Sequence, residues 1–443
     1  KEGFIMKLTI KEITKACNGK FIGDDDTLEV TSYSKDTRTI KKGDCYVAIK
    51  GETFDGNDFL DKARDLGASC AIASKVVDNL PTILVDDTIL AIQKLATHVR
   101  DKSNAFVIGI TGSAGKTSTK DMIASVLSEK YKVLKTPGNL NGQIGLPLNI
   151  LMYQDEPVWV LEMGMNNFGE LDKLSHIAKP NVAVITNIGT AHIGILGSRK
   201  NILKAKLEIL NGMDADGTLI LNGDNDLLKT VKDKRNIVTF GLDDNNTFVA
   251  KNIKTSLENT IFTCNGEEYK VLVPGEVFIY NALASISVGK RLGLTSEEIK
   301  RGLEKFNMSG NRMKKTIVKD YTLLNDTYNA NPDSVKSVLK TIASYEGRKV
   351  AVLGDMLELG EYEKELHENV GEYLNGKVDV LVTVGTLSKY MDDRFKGEKY
   401  HFSSVDEAKE EIKSILKPKD LVLFKASHSI NLDKLVDFLT NNL

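Results

Sequence analysis

Apolar and polar positions along the chain fall into three stretches of different rhythm. Residues 7 to about 103 mix short apolar runs with one amphipathic segment. Thr9 can cap a helix that opens Ile10-Lys11-Glu12-Ile13 and carries an apolar face. Residues 45–49, 68–73 and 82–85 read as strands and 59–66 as a helix, which predicts a small α/β unit. Residues 50–59 are a glycine-punctuated loop around Phe54, suited equally to a solvated connection and to a ligand loop.

From about residue 104 buried strands alternate with helices, which predicts a parallel sheet with crossover helices. The apolar runs at 107–110 and 158–161 are two strands, the second ending at Glu162. A third runs through 183–192 and ends in Asn187 and His192. Helices are predicted at 119–130, 199–210 and 277–292, the last with Asn281 polar among apolar neighbours, and short β pieces at 236–273. Past Gly310-Asn311-Arg312-Met313 a second alternation begins. Its strands are 322–326, ending in Asp326, then 349–353, 378–384 and 421–425. The expected domains are 1–103, 104–313 and 314–443, a count in keeping with a chain of 443 residues.

One turn carries chemistry by its spacing. Thr111-Gly112-Ser113-Ala114-Gly115-Lys116-Thr117-Ser118 leads from a buried strand into a helix. Glycines let the backbone N–H groups point inward, and the helix start adds positive potential, so the turn can cradle phosphates. Lys116 would reach the outer phosphates and Thr117 would hold Mg²⁺. The strict P-loop pattern fails, because position 110 is Ile110 rather than glycine, and the shorter T-G-x-x-G-K-[ST] remains. In an open parallel sheet ligands gather at the carboxyl ends of strands. Glu162 and His192, each unremarkable alone, therefore read together as a divalent-metal pair. Lys204 and Lys206 are two apart on one helix, so one can face that site and the other solvent; spacing does not say which.

Composition narrows the partners. With 59 Lys and Arg against 61 Asp and Glu the formal charge is −2, which argues against nucleic acid or an anionic membrane as main partner. Cys17, Cys45, Cys70 and Cys264 form no C-x-x-C pair and read as reduced residues of a cytoplasmic protein. No apolar run approaches a membrane span. The start, residues 1–6, has no signal-peptide core, and Met6 is a candidate natural start.

These motifs resemble the ATP-dependent Mur ligases of peptidoglycan synthesis over essentially the whole chain. The resemblance is carried by the 111–118 turn, Glu162-Met163-Gly164 with Gly169-Glu170, Thr186-Asn187-Ile188-Gly189-x-Ala191-His192, and Ala205-Lys206-x-Glu208-Ile209. Tyr328-Asn329-Ala330-Asn331-Pro332-Asp333-Ser334 and Leu353-Gly354-Asp355-Met356-Leu357-Glu358-Leu359-Gly360 are similar to the branch that adds D-alanyl-D-alanine. The arginine-bearing signature of diaminopimelate-adding ligases is absent.

The resemblance implies an α/β protein of three domains: a small α/β domain for the UDP-sugar peptide, a central P-loop parallel-sheet ATPase, and a C-terminal Rossmann-like domain for the incoming dipeptide. It implies ATP and Mg²⁺ as cofactors, UDP-N-acetylmuramoyl-tripeptide and D-alanyl-D-alanine as substrates, and a monomer. Lys116, Glu162, His192, Lys206 and Arg312 would be catalytic, with Thr117, Glu162, His192 and Lys206 at the metal, Lys206 as a carbamate. Thr111 to Ser118, Asn281, Arg312, Asp326 and Tyr328 would bind ATP: Asn281 and Tyr328 near adenine, Asp326 at the ribose, Arg312 at a phosphate. Thr37 and Arg38, with loop 50–59, match the uridine-nucleotide region. Thr136, Asn139, Asn141, Asn329, Asn331 and Asp333 would face the substrates. Asn57, Gly142, Asn167, Val277 and His428 depart from the family's usual residues, all outside the phosphate and metal set. Two other readings stay open: a related ligase with another amino-acid substrate, and a P-loop protein that binds nucleotide as a regulator.

Overall fold

The computed structural model describes residues 7–51, 53–256, 258–308, 310–343 and 345–443. Residues 1–6, with Met6, and Glu52 of the 50–59 loop lie outside them.

Three sheets organise the chain. The first has five strands in the order Lys20–Ile22, Thr82–Leu84, Cys70–Ala73, Cys45–Val47, Tyr33–Ser34, parallel apart from the first pair. Its opening helix, Ile10–Cys17, starts on the expected cap: Thr9 accepts from the Glu12 amide while Glu12 accepts from the Thr9 amide. A helix outside the sequence reading, Thr88–Lys102, starts on Asp87 and packs against Ile10–Cys17 and against the central helices Gly145–Ile150 and Glu170–Ala178. It joins the first unit to the second. Near its end Arg100 donates to the Ala178 carbonyl at 2.7 Å and the Lys179 carbonyl at 3.0 Å, closing a helix end of the next domain.

The central sheet has nine strands. Seven are parallel, and Thr260–Cys264 and Glu267–Val271 continue it antiparallel at one edge. The strand Phe106–Thr111 lies between Val158–Glu162 and Val182–Ile185, so the chain reverses its winding beside the phosphate turn. Both faces of this sheet are covered, which is why its strands read as unbroken apolar runs. Ile108, Ile110, Val158 and Val184 pack toward the helices Lys116–Leu127 and Val277–Arg291. Val107, Trp159, Leu161 and Ile185 pack toward the first domain's side.

The third sheet runs Lys314–Val318, Tyr321–Asn325, Leu421–Lys425, Lys349–Gly354, Val380–Val384, Glu398–Phe402, parallel except for its first hairpin. Leu339, Leu353 and Leu359 of this domain join the same apolar cluster as Met122 and Phe278 of the central one, so the two domains are packed together. The fold is thus the three-domain α/β arrangement expected, with the phosphate turn facing the third domain. One strand is shorter than its pattern suggests. Val182–Ile185 ends before Thr186, and His192 sits in a following loop with φ +64° rather than at the strand end.

Candidate active site

The phosphate turn is held by its neighbour. The Ser113 amide donates to the Asn187 carbonyl at 3.1 Å and the Ala114 amide to Asn187 Oδ1 at 2.8 Å. Thr186 Oγ1 donates to the Ala114 carbonyl at 2.6 Å. A Cβ on Gly112 would fall 1.9 Å from Thr186 Oγ1, so only glycine lets the two loops close. These bonds occupy the Ser113 and Ala114 amides, which narrows the expected cradle. What remains is the start of Lys116–Leu127, which no side chain caps, with the first-turn amides that every helix leaves without intrahelical partners.

A cavity of about 500 Å³ opens there. Its wall includes residues 113–118, Asn139, Asn141, Glu162, His192 and Asn281 from the central domain. Arg312, Asp326, Tyr328, Asn329, Asn331 and Asp333 complete it from the domain junction and the third domain. Thr111 and Gly112 lie beneath the turn, and Thr136, Lys206, Thr37 and Arg38 do not line the cavity. Thr136 is fully buried, its hydroxyl accepting from the Glu162 amide at 2.9 Å and from Asn149 Nδ2 at 3.1 Å. Arg38 pairs with Asp36 at 2.6 Å on the first domain.

Within the cavity charge is concentrated. Lys116 folds back to the Gly112 carbonyl at 2.9 Å, and desolvation in the cleft lowers its pKa against the opposing pull of Glu162. Glu162 is 1% exposed; Oε1 accepts from Asn141 Nδ2 at 2.7 Å and Oε2 has no hydrogen-bond partner among the described residues. Lys120 fastens the loop that presents Asn139 and Asn141, donating to the Thr136 and Gly138 carbonyls at 2.8 and 3.0 Å. The two lysines differ in burial: Lys204 is exposed, Lys206 is 1% exposed. Burial, then the nearby charge of Lys116, hold Lys206 well below the ordinary lysine pKa, and it pairs with no carboxylate among the described residues.

An orphaned buried carboxylate oxygen, a threonine hydroxyl at Thr117 and the imidazole of His192 share one wall. These donors fit a hard divalent cation that takes its other ligands from phosphate and water. Among the described residues no three His, Cys, Asp or Glu side chains gather as a self-contained metal cage.

The third domain brings its own groups. The Arg312 guanidinium lies 3.5 Å from the Tyr328 ring centroid. Asp326 Oδ2 meets Lys425 Nζ at 2.6 Å, and Oδ1 accepts from the Met313 amide at 3.2 Å. Asn281 Oδ1 accepts from Thr119 Oγ1 at 3.0 Å, tying two helices at the cavity wall. Asn331 Oδ1 accepts from the Ser334 amide at 2.9 Å, and Asn329 Oδ1 accepts from the Ala330 amide at 2.9 Å. Asp333 Oδ2 accepts from Thr190 N and Oγ1 at 2.9 and 3.1 Å, bridging the domains. Lys340 and Glu276 form a second bridge, at 2.7 Å, on the same wall.

Of the residues that depart from the family pattern, Asn57 is buried and structural. Its Oδ1 accepts from the Ser74 amide at 2.9 Å and its Nδ2 donates to Asp55 at 2.7 Å. At Gly142 an added Cβ meets nothing within 4 Å. Val277 lines the cavity, and the His428 ring centroid is 6.0 Å from that of Tyr328. Asn167 is exposed. Sequence reasoning assigned no site role to Glu276, Lys340, Glu358 or Lys425, all of which line the cavity. Only Glu358 carried a signal, its place in the 353–360 motif.

Three family descriptions match in succession: "Mur ligase family, catalytic domain" over residues 29–106, "Mur ligase middle domain" over 110–289, and "Mur ligase, glutamate ligase domain" over 311–428. The chain is 36% identical to the UDP-N-acetylmuramoyl-tripeptide–D-alanyl-D-alanine ligase of Bacillus subtilis, over 98% of each chain. It is 34% identical to the enzyme of that name from Escherichia coli, over 99% of each. Among solved structures it is similar to MurF from Acinetobacter baumannii, with TM-score 0.92, 29% identity, and 99% of this chain and 100% of that one covered. It is also similar to MurF ligase from Thermotoga maritima in complex with ADP, with TM-score 0.84, 31% identity, and 93% and 97% covered.

Proposed function

The chain belongs to the Mur ligase family, and we propose that it is an ATP-dependent ligase joining D-alanyl-D-alanine to UDP-N-acetylmuramoyl-tripeptide in peptidoglycan precursor synthesis. One observation carries the reading. The uncapped helix start with Lys116, the orphaned Glu162 oxygen and the third domain's Arg312 and Tyr328 all face one cavity.

A carboxylate resists attack by an amine because its charge repels the nucleophile and oxide is a poor leaving group. Transfer of the γ-phosphoryl of ATP to the tripeptide carboxylate releases ADP and gives an acyl phosphate. The dipeptide amine then adds to the acyl carbon, loses a proton and expels phosphate. Such a transfer needs positioning and charge neutralisation more than covalent help. Lys116 and the open amides of its helix bind the phosphates, and Arg312, braced on Tyr328, adds a cation from the other side. Asn281 and Asp326 border the nucleotide. Thr117, Glu162 and His192 would hold Mg²⁺. Bound there, the cation would screen phosphate charge and polarise the γ-phosphoryl group. Burial lowers the pKa of Lys206, which favours the neutral amine that takes up carbon dioxide with loss of a proton; the resulting carbamate would supply an oxygen toward the same region. The third domain, packed over the cavity, keeps water from the activated carboxyl.

We infer a cytoplasmic enzyme, a reading supported by the nucleotide-linked substrate and ATP of the proposed reaction and by four buried free cysteines. We infer a monomer, supported by a cavity lined within a single chain. Phosphate release with ATP, Mg²⁺, UDP-N-acetylmuramoyl-tripeptide and D-alanyl-D-alanine tests the reading. Release that requires both the tripeptide and the dipeptide is expected; release indifferent to them would overturn it.

A further inference from the structure

Two loops from different domains meet at the cavity in matched fashion. His192 Nδ1 lies 3.0 Å from Glu358 Oε2. Two residues on in each loop, Gly194 lies against Gly360: a Cβ on Gly194 would fall 2.5 Å from the Gly360 amide nitrogen. Both contact residues have left-handed backbones, φ +64° at His192 and +65° at Glu358, which non-glycine residues adopt at a cost of about 1 kcal/mol or more. The Glu358 side chain is 58% exposed, so the ion pair itself stabilises the fold little.

The loop that carries Glu358 is rigidly built. His367 Nε2 accepts from the Met356 amide at 3.0 Å. Ser427 Oγ accepts from the Leu357 amide at 2.9 Å. Asp355 accepts from the Thr386 and Ser388 amides at 3.1 and 2.6 Å. Met356, Leu357 and Asp355 are thus all fastened, and Glu358 is the next side chain, held toward the central domain. His192 Nδ1 is buried and meets no aligned hydrogen-bond partner among the described residues; the Glu358 carboxylate, 3.0 Å away, is the charged group beside it.

We propose that Glu358 is a positioning residue: docking of the third domain brings its carboxylate to His192 Nδ1 and so selects the imidazole form whose Nε2 can ligate a divalent cation. A carboxylate accepts and does not donate, so it draws the imidazole proton to Nδ1 and leaves the lone pair on Nε2. Metal-ligating histidines are oriented in this way by a carboxylate on their other nitrogen. Here the carboxylate comes from another domain, so the metal set is complete only in the docked chain. The inference rests on the ligase reading, in which His192 serves Mg²⁺.

The test uses the full chain with ADP, Mn²⁺ as the probe metal read by electron paramagnetic resonance, and ¹⁵N spectra of labelled histidine. Glu358→Ala is expected to weaken Mn²⁺ binding about 10–100-fold and to move the His192 proton from Nδ1 to Nε2. Gly194→Ala keeps Glu358 but wedges the seam apart, and is expected to give the same two changes. The double variant should lose no more than either single one, because both remove one contact. Wild-type Mn²⁺ affinity and tautomer in both variants would overturn the inference while leaving the ligase reading intact. Normal Mn²⁺ binding by a wild-type chain that releases no phosphate with the dipeptide would overturn the ligase reading instead. Unchanged circular dichroism melting of Gly194→Ala separates loss of docking from loss of folding.

Discussion

Asn141 Nδ2 donates to Glu162 Oε1 at 2.7 Å and leaves the buried Oε2 without a hydrogen-bond partner among the described residues. The amide fixes the carboxylate in one orientation, and Lys120 fixes the loop that bears the amide. A buried carboxylate oxygen left open is costly unless something fills the place, which is the strongest sign of a cation site here. Replacing Asn141 by Ala should raise the Mg²⁺ concentration needed for half-maximal activity about 10–100-fold. Steady-state phosphate release against Mg²⁺ checks this, and an unchanged requirement would remove Asn141 from the site.

Lys206 supports a prediction on pH with a definite sign. Its folded pKa is lowered well below 10.5. Between that folded value and 10.5 the unfolded chain binds more protons, so stability rises with pH, by at most about 1.4 kcal/mol per pH unit. The buried amine therefore costs stability fully below the folded pKa, and the cost vanishes above the unfolded one. Lys206→Met should be more stable than wild type at pH 6.5 in carbon-dioxide-free buffer, with a smaller difference at pH 9.5. Urea unfolding of both proteins measures it. The same variant should lose activity, and Lys206→Ala should regain part of it with a short-chain carboxylic acid if a carbamate is the working form.

Arg312 and Tyr328 form a face-on pair. A planar guanidinium stacks where an ammonium does not. Arg312→Lys should therefore recover little of the activity lost in Arg312→Ala, a loss of about 10²–10³-fold in kcat. Tyr328→Phe keeps the ring and should keep most of the activity. Full activity in Arg312→Lys would show that charge alone is used.

Lys425 and Asp326 are 4% and 6% exposed and paired at 2.6 Å. Removing one partner strands a buried charge. Lys425→Met should cost about 3–5 kcal/mol, and Asp326→Asn together with Lys425→Met less than the two single costs added. Denaturant unfolding of the four proteins gives the coupling directly. The double variant would still need assay, since Asp326 also accepts from the Met313 amide at the domain junction.

Much of the architecture was legible in the residues alone. A strand buried on both faces has no choice but a continuous apolar run, so Phe106–Thr111, Val158–Glu162 and Leu421–Lys425 announced themselves. The phosphate turn was legible too, because Gly112, Gly115 and Lys116 are local requirements of a strand–turn–helix. The helix Thr88–Lys102 was not, since its apolar positions are shared among neighbours from two domains and trace no single clean face.

What sequence determined, then, is everything set by short-range rules: element types, the cradle, and the polar residues near it. Tertiary structure decided which of these residues face one another. It buried Lys206 and left Lys204 exposed, a property of what lies above the helix rather than of its spacing. It turned Thr136 into a buried support for Glu162 and Asp333 into a bridge to Thr190. It brought Glu358 to His192 across 166 positions of chain by docking two glycines face to face. Such pairings depend on how separate domains pack, and nothing in the local order of residues encodes that distance.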